Sequence, residues 1–220
     1  GPLARTTADA ALLLDGMIAR RADGGQADRS ALTAPAGERS YVDALEAPVR
    51  RLRIGFTTWS PWSTTYAIDL DDGVAEVFEA TKEHLVRLGH QLVPATPVDA
   101  PEYFEAFRTV WQAGASTIPL EGEALAALEP LTRWLVGVGR TKSAAELAAS
   151  LASLGAFERS MIAQYSEFDV VLTPTLAQPP LLVGEIRDDE HPDRDFEAQK
   201  RFTPWTSAWN LTGMPAVSLP

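Results

Sequence analysis

Along this 220-residue chain the spacing of apolar positions switches several times between helical and extended periods. Thr6 and Asp9 stand at the spacing of a helix N-terminus. Leu13, Leu14, Met17 and Ile18 follow at helical intervals, so the pattern predicts a helix from Thr6 or Thr7. Arg20–Ser40 is polar, contains Gly24-Gly25, and reads as an exposed loop. "RLRIGF" (Arg51–Phe56) is a short apolar strand. In Asp69–Gly89 the residues Val74, Val77, Phe78, Thr81, Leu85 and Leu88 share one helical face. Asp69, Asp71 and Asp72 sit where the helix dipole favours negative charge, and Gly89 is placed to end the helix. "HQLVPA" (His90–Ala95) is the next strand. Two strands joined by a helix of this length form a βαβ unit, spanning 51–94, with parallel strands.

Three more helices are predicted. Phe104, Phe107, Trp111, Ala115 and Ile118 mark the first. A weaker one in Gly122–Gly139 is interrupted by Pro130. The longest runs from about Ser143 to Phe168, with Leu147, Leu151, Leu154, Met161 and Tyr165 as its stripe. Gly155 costs about 1 kcal/mol relative to alanine within it, which makes it a candidate bend. "DVVLTP" (Asp169–Pro174) reads as a buried strand. Thr175–Asp195 holds Pro179, Pro180, Pro192 and an acidic cluster, and reads as a long irregular loop.

Composition narrows the class. At 45% hydrophobic and 22% charged residues the chain can bury a sizeable core. It has no cysteine, so thiol nucleophiles, thiolate metal sites and disulfides are excluded within it, which fits a cytoplasmic location. A net charge of −11 disfavours nucleic acid and anionic membranes as partners. No apolar run approaches the roughly 20 residues that span a bilayer, and the first residues do not read as a signal peptide.

Candidate chemistry is sparse. There is no G-x-S-x-G nucleophile elbow and no phosphate-binding glycine motif. His84 and His90 lie six apart and cannot share a helical face as a metal pair. His191 stands in an acidic loop that reads as a solvated charge run, so no metal and no cofactor is expected. Lys82, Lys142 and Lys200 all lie in polar segments where nothing depresses a lysine pKa. Asn210 begins an N-L-T triplet and is expected to bond backbone in a turn. The six tryptophans are individually best read as core, although Trp59, Trp62 and Trp205 sit beside prolines in loop-like stretches that could line an apolar pocket.

Three segments change this picture. "GPLARTTADAALLLDGM" (Gly1–Met17), "FDVVLTPTLAQPP" (Phe168–Pro180) and "FTPWTSAWNLTGMPAVSLP" (Phe202–Pro220) occur in that order. Together they resemble the amidase signature family, the last through its N-x-x-G-x-P-A pattern at Asn210, Gly213, Pro215 and Ala216. "RLRIGF" and "RLGHQLV" fit that family's variable middle. The resemblance implies an α/β fold with a mixed sheet flanked by helices. It implies hydrolysis of a carboxamide by a serine nucleophile, with a second serine in a cis peptide relaying protons to a lysine. No "GGS" occurs here and no lysine falls at a matching motif. The resemblance therefore places the catalytic residues upstream of Gly1 and makes Gly1-Pro2 native sequence.

On this reading residues 1–220 are the C-terminal portion of one amidase domain. Residues 1–50 lead out of the catalytic core, 51–168 form the variable part, and 169–220 return to the core sheet and pocket loops. The chain would pack on its own N-terminal core and take a small-molecule amide as partner, with homodimerisation left open. Pocket candidates are Trp111, Thr173, Pro174, Trp205 and Asn210, and core packing, a strand end or a turn explains each of them equally well. Two alternatives stand beside the hydrolase: an amidotransferase A-type subunit supplying ammonia for tRNA-linked amide synthesis, and a non-catalytic binding domain. The tryptophan-rich middle favours a free-standing amidase.

Overall fold

A computed structural model describes residues 1–18 and 39–219. The chain divides into two compact units, Gly1–Arg50 and Arg51–Pro220. Up to residue 38, the loop predicted over Arg20–Ser40 lies outside the described residues.

In the first unit, α1 (Thr7–Met17) starts as expected. Thr6 Oγ1 accepts from the Asp9 backbone N–H and donates to the Asp9 carboxylate at 2.7 Å. A short α2 (Tyr41–Ala44) is capped by Ser40. Its first two amides also donate to Asp15 Oδ1 and Oδ2, each at 3.0 Å. One carboxylate thus satisfies two orphan amides of a helix start. The apolar stripe of α1 is only partly covered: Ala11 and Ile18 are buried, whereas Leu13 and Met17 are about half exposed.

The second unit begins with the predicted βαβ. Strand β1 (Arg53–Phe56) pairs in parallel with β2 (Gln91–Pro94), and α3 (Asp72–Arg87) connects them. Asp71 caps α3 through its side chain, and Gly89, with φ at +91°, ends it in the left-handed conformation that glycine adopts without strain. Within α3 the inward stripe is Val74, Phe78, Thr81 and Leu85. Val77 and Leu88 are exposed, the first because it lies off that stripe and the second because it caps the last turn.

A third strand, β3 (Val170–Leu172), pairs in parallel with β1 on its other side, giving the order β2-β1-β3. All three strands among the described residues are parallel. The "DVVLTP" strand is less buried than expected, since Val170 is 46% exposed at the open edge of β3. Gly55 in β1 is dictated by packing. The Phe168 ring lies across it, and an added Cβ would meet that ring at 2.7 Å.

Four helices fill the middle: α4 (Tyr103–Ala115), α5 (Gly122–Ala126), α6 (Pro130–Gly139) and α7 (Ala144–Tyr165). Pro130 does not bend one helix but starts a new one, at a position where its missing N–H costs nothing. α7 runs through Gly155 as one helix and opens with a capping box between Ser143 and Glu146. Its buried face is Leu154, Phe157, Met161 and Tyr165, while Leu151 is exposed. α4 is rotated relative to the expected stripe. Tyr103, Ala106, Thr109 and Gln112 are buried, and Trp111 is 54% exposed.

Besides the short α2, two helices were not anticipated. α8 (Pro192–Phe202) takes over the end of what reads as loop, with Pro192 in its first turn. α9 (Thr206–Thr212) occupies the segment that reads as turn and strand, so Asn210 is a helical residue rather than a turn residue. α9 ends at Gly213, whose φ of +63° is again left-handed. The glycine of N-x-x-G-x-P-A is therefore a helix stop.

The core of this unit is aromatic. Trp62, in a 3-10 turn over Pro61–Thr64, is almost fully buried and meets the rings of Tyr103 and Phe107 edge-on, each at 5.0 Å. Tyr103 in turn meets Phe157 of α7 at 4.8 Å. Burying one large side chain of this kind stabilises by about 1.5–3 kcal/mol over leaving it exposed. Trp62 thus ties the loop after β1 to α4, and Tyr103 carries the contact on to α7.

Candidate functional site

In open parallel sheets ligands bind beyond the carboxyl ends of the strands, where connecting loops converge. Here those ends are Phe56, Pro94 and Leu172. The segment leaving β1, Thr57–Ser60, is the hub. Thr57 donates its backbone N–H to Leu172 O at 3.1 Å, holding the end of β3 and hence Thr173 and Pro174. Trp205 donates its indole N–H to Thr58 O at 3.2 Å, and the Ser60 hydroxyl donates to Pro204 O at 2.6 Å. Of the five predicted pocket residues, Trp205 is therefore bonded directly to this four-residue segment, and Thr173 and Pro174 directly follow the strand end that Thr57 holds.

Their exposure differs. Pro174 and Trp205 are buried, Thr173 is half-buried, and Asn210 is exposed on α9. Trp111 stands apart from the hub. It stacks on Phe107 at 5.5 Å, with the planes 14° apart, and presents its outer face to solvent. Trp134 is half-buried against Phe196.

Beside the hub lies a polar node that the sequence did not reveal. Ser207 Oγ, on α9, accepts from Trp62 Nε1 and from the Tyr103 hydroxyl, each at 2.9 Å. Burial pushes the Tyr103 phenol far above the ordinary tyrosine range, and its bond to Ser207 offsets only part of that. Lys200 also overturns the sequence reading. It is 6% exposed, and burial pulls its ammonium down to about 7, with the nearby Arg108 charge acting in the same direction. "DFEAQKRF" is polar as a string. The rings that enclose Lys200 come partly from Trp62 and Phe104, remote in sequence, so no local signal could have found it.

His90 Nδ1 accepts from the Leu52 backbone N–H at 3.2 Å, and His191 lies against Asp188 on the surface. Among the described residues there is no cluster of His, Asp and Glu fit to hold a metal ion, and no helix long and apolar enough to cross a membrane.

The described serines form no catalytic pair. Ser60, Ser143, Ser153 and Ser207 bond to a carbonyl, to Glu146, to Glu102 and to the two aromatic donors respectively. Among the described residues no serine hydroxyl is hydrogen-bonded to a histidine or a lysine.

The Amidase family model matches residues 1–220, and the chain belongs to that family. An amidase of Pseudomonas putida is 28% identical over 227 residues, covering all of this chain and 45% of that protein. The A-type subunit of glutamyl-tRNA(Gln) amidotransferase from Pseudomonas aeruginosa (strain LESB58) is 26% identical over 248 residues, covering all of this chain and 47% of that protein. The structure of 6-aminohexanoate cyclic dimer hydrolase superposes with a TM-score of 0.75 at 20% identity, over 96% of this chain and 45% of that one. This last likeness establishes the shared fold. The chain spans less than half the length of the curated relatives named here.

Proposed function

We propose that residues 1–220 form the C-terminal, pocket-shaping portion of a serine amidase whose nucleophile and base lie upstream of Gly1. The observation that carries this reading is the pairing of a family match over 1–220 with serines whose hydroxyls are committed elsewhere. A serine nucleophile needs an activating base within hydrogen-bond reach; the described serines meet no histidine or lysine, and the carboxylates that Ser143 and Ser153 meet are surface contacts, the first of them a helix capping box. In the proposed reaction a serine oxygen attacks the carboxamide carbon. A lysine takes the serine proton through a second serine in a cis peptide. The tetrahedral oxyanion is held by backbone N–H groups until the C–N bond breaks and the nitrogen leaves protonated. Water then releases the acid.

In this account Thr173, Pro174 and Trp205 form one wall of the amide pocket, Asn210 lies at its rim, and Trp111 offers a flat apolar face to the substrate. The bond of Trp205 to Thr58, and of Thr57 to the strand end just before Thr173 and Pro174, supports that assignment. The apolar side chains favour small or aromatic amides over charged ones.

The test is to incubate the whole protein with aliphatic and aromatic carboxamides and quantify the carboxylic acid and the ammonia or amine in equal amounts. Stoichiometric release without a second protein supports the hydrolase. The match to the amidotransferase supports a second reading. Ammonia release from glutamine or asparagine that appears only with partner subunits would favour it. Binding of amides without turnover would favour a non-catalytic domain.

A further inference from the structure

Lys200 is a buried cation site built from rings. Its Nζ lies 3.3 Å from the centroid of Phe196, 5.1 Å from Trp62 and 5.6 Å from Phe104. Among the described residues no hydrogen-bond acceptor reaches it. The charged and titratable neighbours come from three elements. α4 contributes Glu105 and Arg108, α8 contributes Glu197 and Arg201, and the 3-10 turn is followed by Tyr66. Arg108 pairs with Glu197 at 3.8 Å and lies over Phe104, and Arg201 lies over the Tyr66 ring. α6 closes the far side with Trp134 against Phe196.

Such a box accommodates a neutral amine and its apolar stem well. A charged ammonium gains attraction from the ring faces but loses its water and finds no acceptor in return. The two protonation states therefore favour different surroundings, and both Glu105 and Glu197 lie close enough to act on the charged one. The helix that carries Lys200 is also the lead-in to the hub. Phe202 O accepts from the Ala177 backbone N–H, and two residues later Pro204 O accepts from Ser60.

We propose that Lys200 is a proton-operated latch: uncharged, it fills the aromatic box and holds α8 against α4 and the 3-10 turn, and on gaining a proton it turns toward Glu105 and Glu197 and loosens α8 and the Phe202–Trp205 segment. This device does not depend on which amide reaction the whole protein performs. Its sign follows from linkage. An ordinary lysine in the unfolded chain titrates near 10.4, whereas burial brings the folded group down to about 7. Between those values the unfolded chain holds a proton that the folded one lacks. Stability therefore rises with pH through that window and is lowest below it.

The test compares the pH dependence of thermal unfolding of the whole protein with that of Lys200→Met, which keeps a long apolar stem and removes the titration. As pH falls from 9 to 6 the natural protein should lose Tm relative to the variant. In parallel, 13C NMR of the natural protein labelled at the lysine ε-carbons, with Lys200 assigned by its contacts to the Phe196 and Trp62 rings, should show it titrating at least two pH units below an ordinary lysine. Parallel unfolding curves overturn the latch even if the titration is low. A Lys200 signal that titrates in the ordinary range overturns it whether or not the variant folds.

Discussion

Trp62 and Ser207 are separated by 145 residues in sequence, yet the indole N–H of one donates to the hydroxyl oxygen of the other at 2.9 Å. The Tyr103 hydroxyl donates to the same oxygen. Three elements, the 3-10 turn, α4 and α9, thus meet on a single acceptor. Ser207→Ala leaves two largely buried donors without a partner, which costs about 1–3 kcal/mol for each unsatisfied group. A chemical denaturation series should show a clear drop in midpoint. A midpoint equal to that of the natural protein would mean that water replaces the hydroxyl and that the node is not structural.

The two glycines of α6 make opposite predictions. Gly139 abuts α4 so closely that an added Cβ would fall at the Gln112 carbonyl oxygen, whereas Gly137 has open space around its Cβ position. Gly137→Ala should stabilise by about 0.5–1 kcal/mol through helix propensity. Gly139→Ala should destabilise by about 1–3 kcal/mol, because backbone rather than a flexible side chain must move. Shifts of the same sign at both sites would contradict the close α4–α6 contact.

The predicted pocket tryptophans separate by burial. Trp205 is 2% exposed and bonded to Thr58 O, so Trp205→Ala should cost about 3–5 kcal/mol of stability whatever its role in binding. Trp111→Ala should leave stability within about 0.5 kcal/mol, as exposed substitutions do. It should raise KM for aromatic amides more than for acetamide-sized ones. Unchanged KM values across the series would remove Trp111 from the pocket.

These outcomes show what was legible. The βαβ unit could be read because its period, acidic start and terminal glycine all agree locally. The start of the longest helix near Ser143 was readable from its apolar stripe, although the capping box that fixes it was not read. α8 and α9 were not, because Pro192 and the Asn210-Leu-Thr212 triplet signal turns while the helices are held by distant partners such as Trp62 and Tyr103. Ser207 depends on donors more than 100 residues away, and the burial of Lys200 depends on Trp62 and Phe104 as well as on its neighbour Phe196, so neither is evident from its own segment. Trp111 and Trp205 both look like core or pocket by composition. Only the rotation of α4 and the bond to Thr58 tell them apart.

Alkaline pH should weaken the fold through the buried tyrosines. Burial pushes the Tyr165 phenol up to about 12 and moves Tyr66 and Tyr103 upward as well. An unfolded tyrosine ionises near 10. The stabilisation is therefore complete below about pH 10 and is lost as pH rises toward the folded values. Tyr165 also has no hydrogen-bond partner for its hydroxyl among the described residues. Tyr165→Phe should be neutral or stabilising at pH 8 and should blunt the loss above pH 10. Unfolding curves of the two proteins that stay parallel from pH 8 to 11 would contradict this.

The central claim is that this chain shapes the pocket while catalysis is carried by residues outside it. Labelling the whole protein with a fluorophosphonate, which traps an activated serine, and mapping the modified peptide tests it most directly. The account predicts a single labelled serine upstream of Gly1, with amide hydrolysis lost in step with labelling. A label on a serine within residues 1–220, such as Ser60, Ser143 or Ser207, together with loss of activity when that serine becomes alanine, would contradict it.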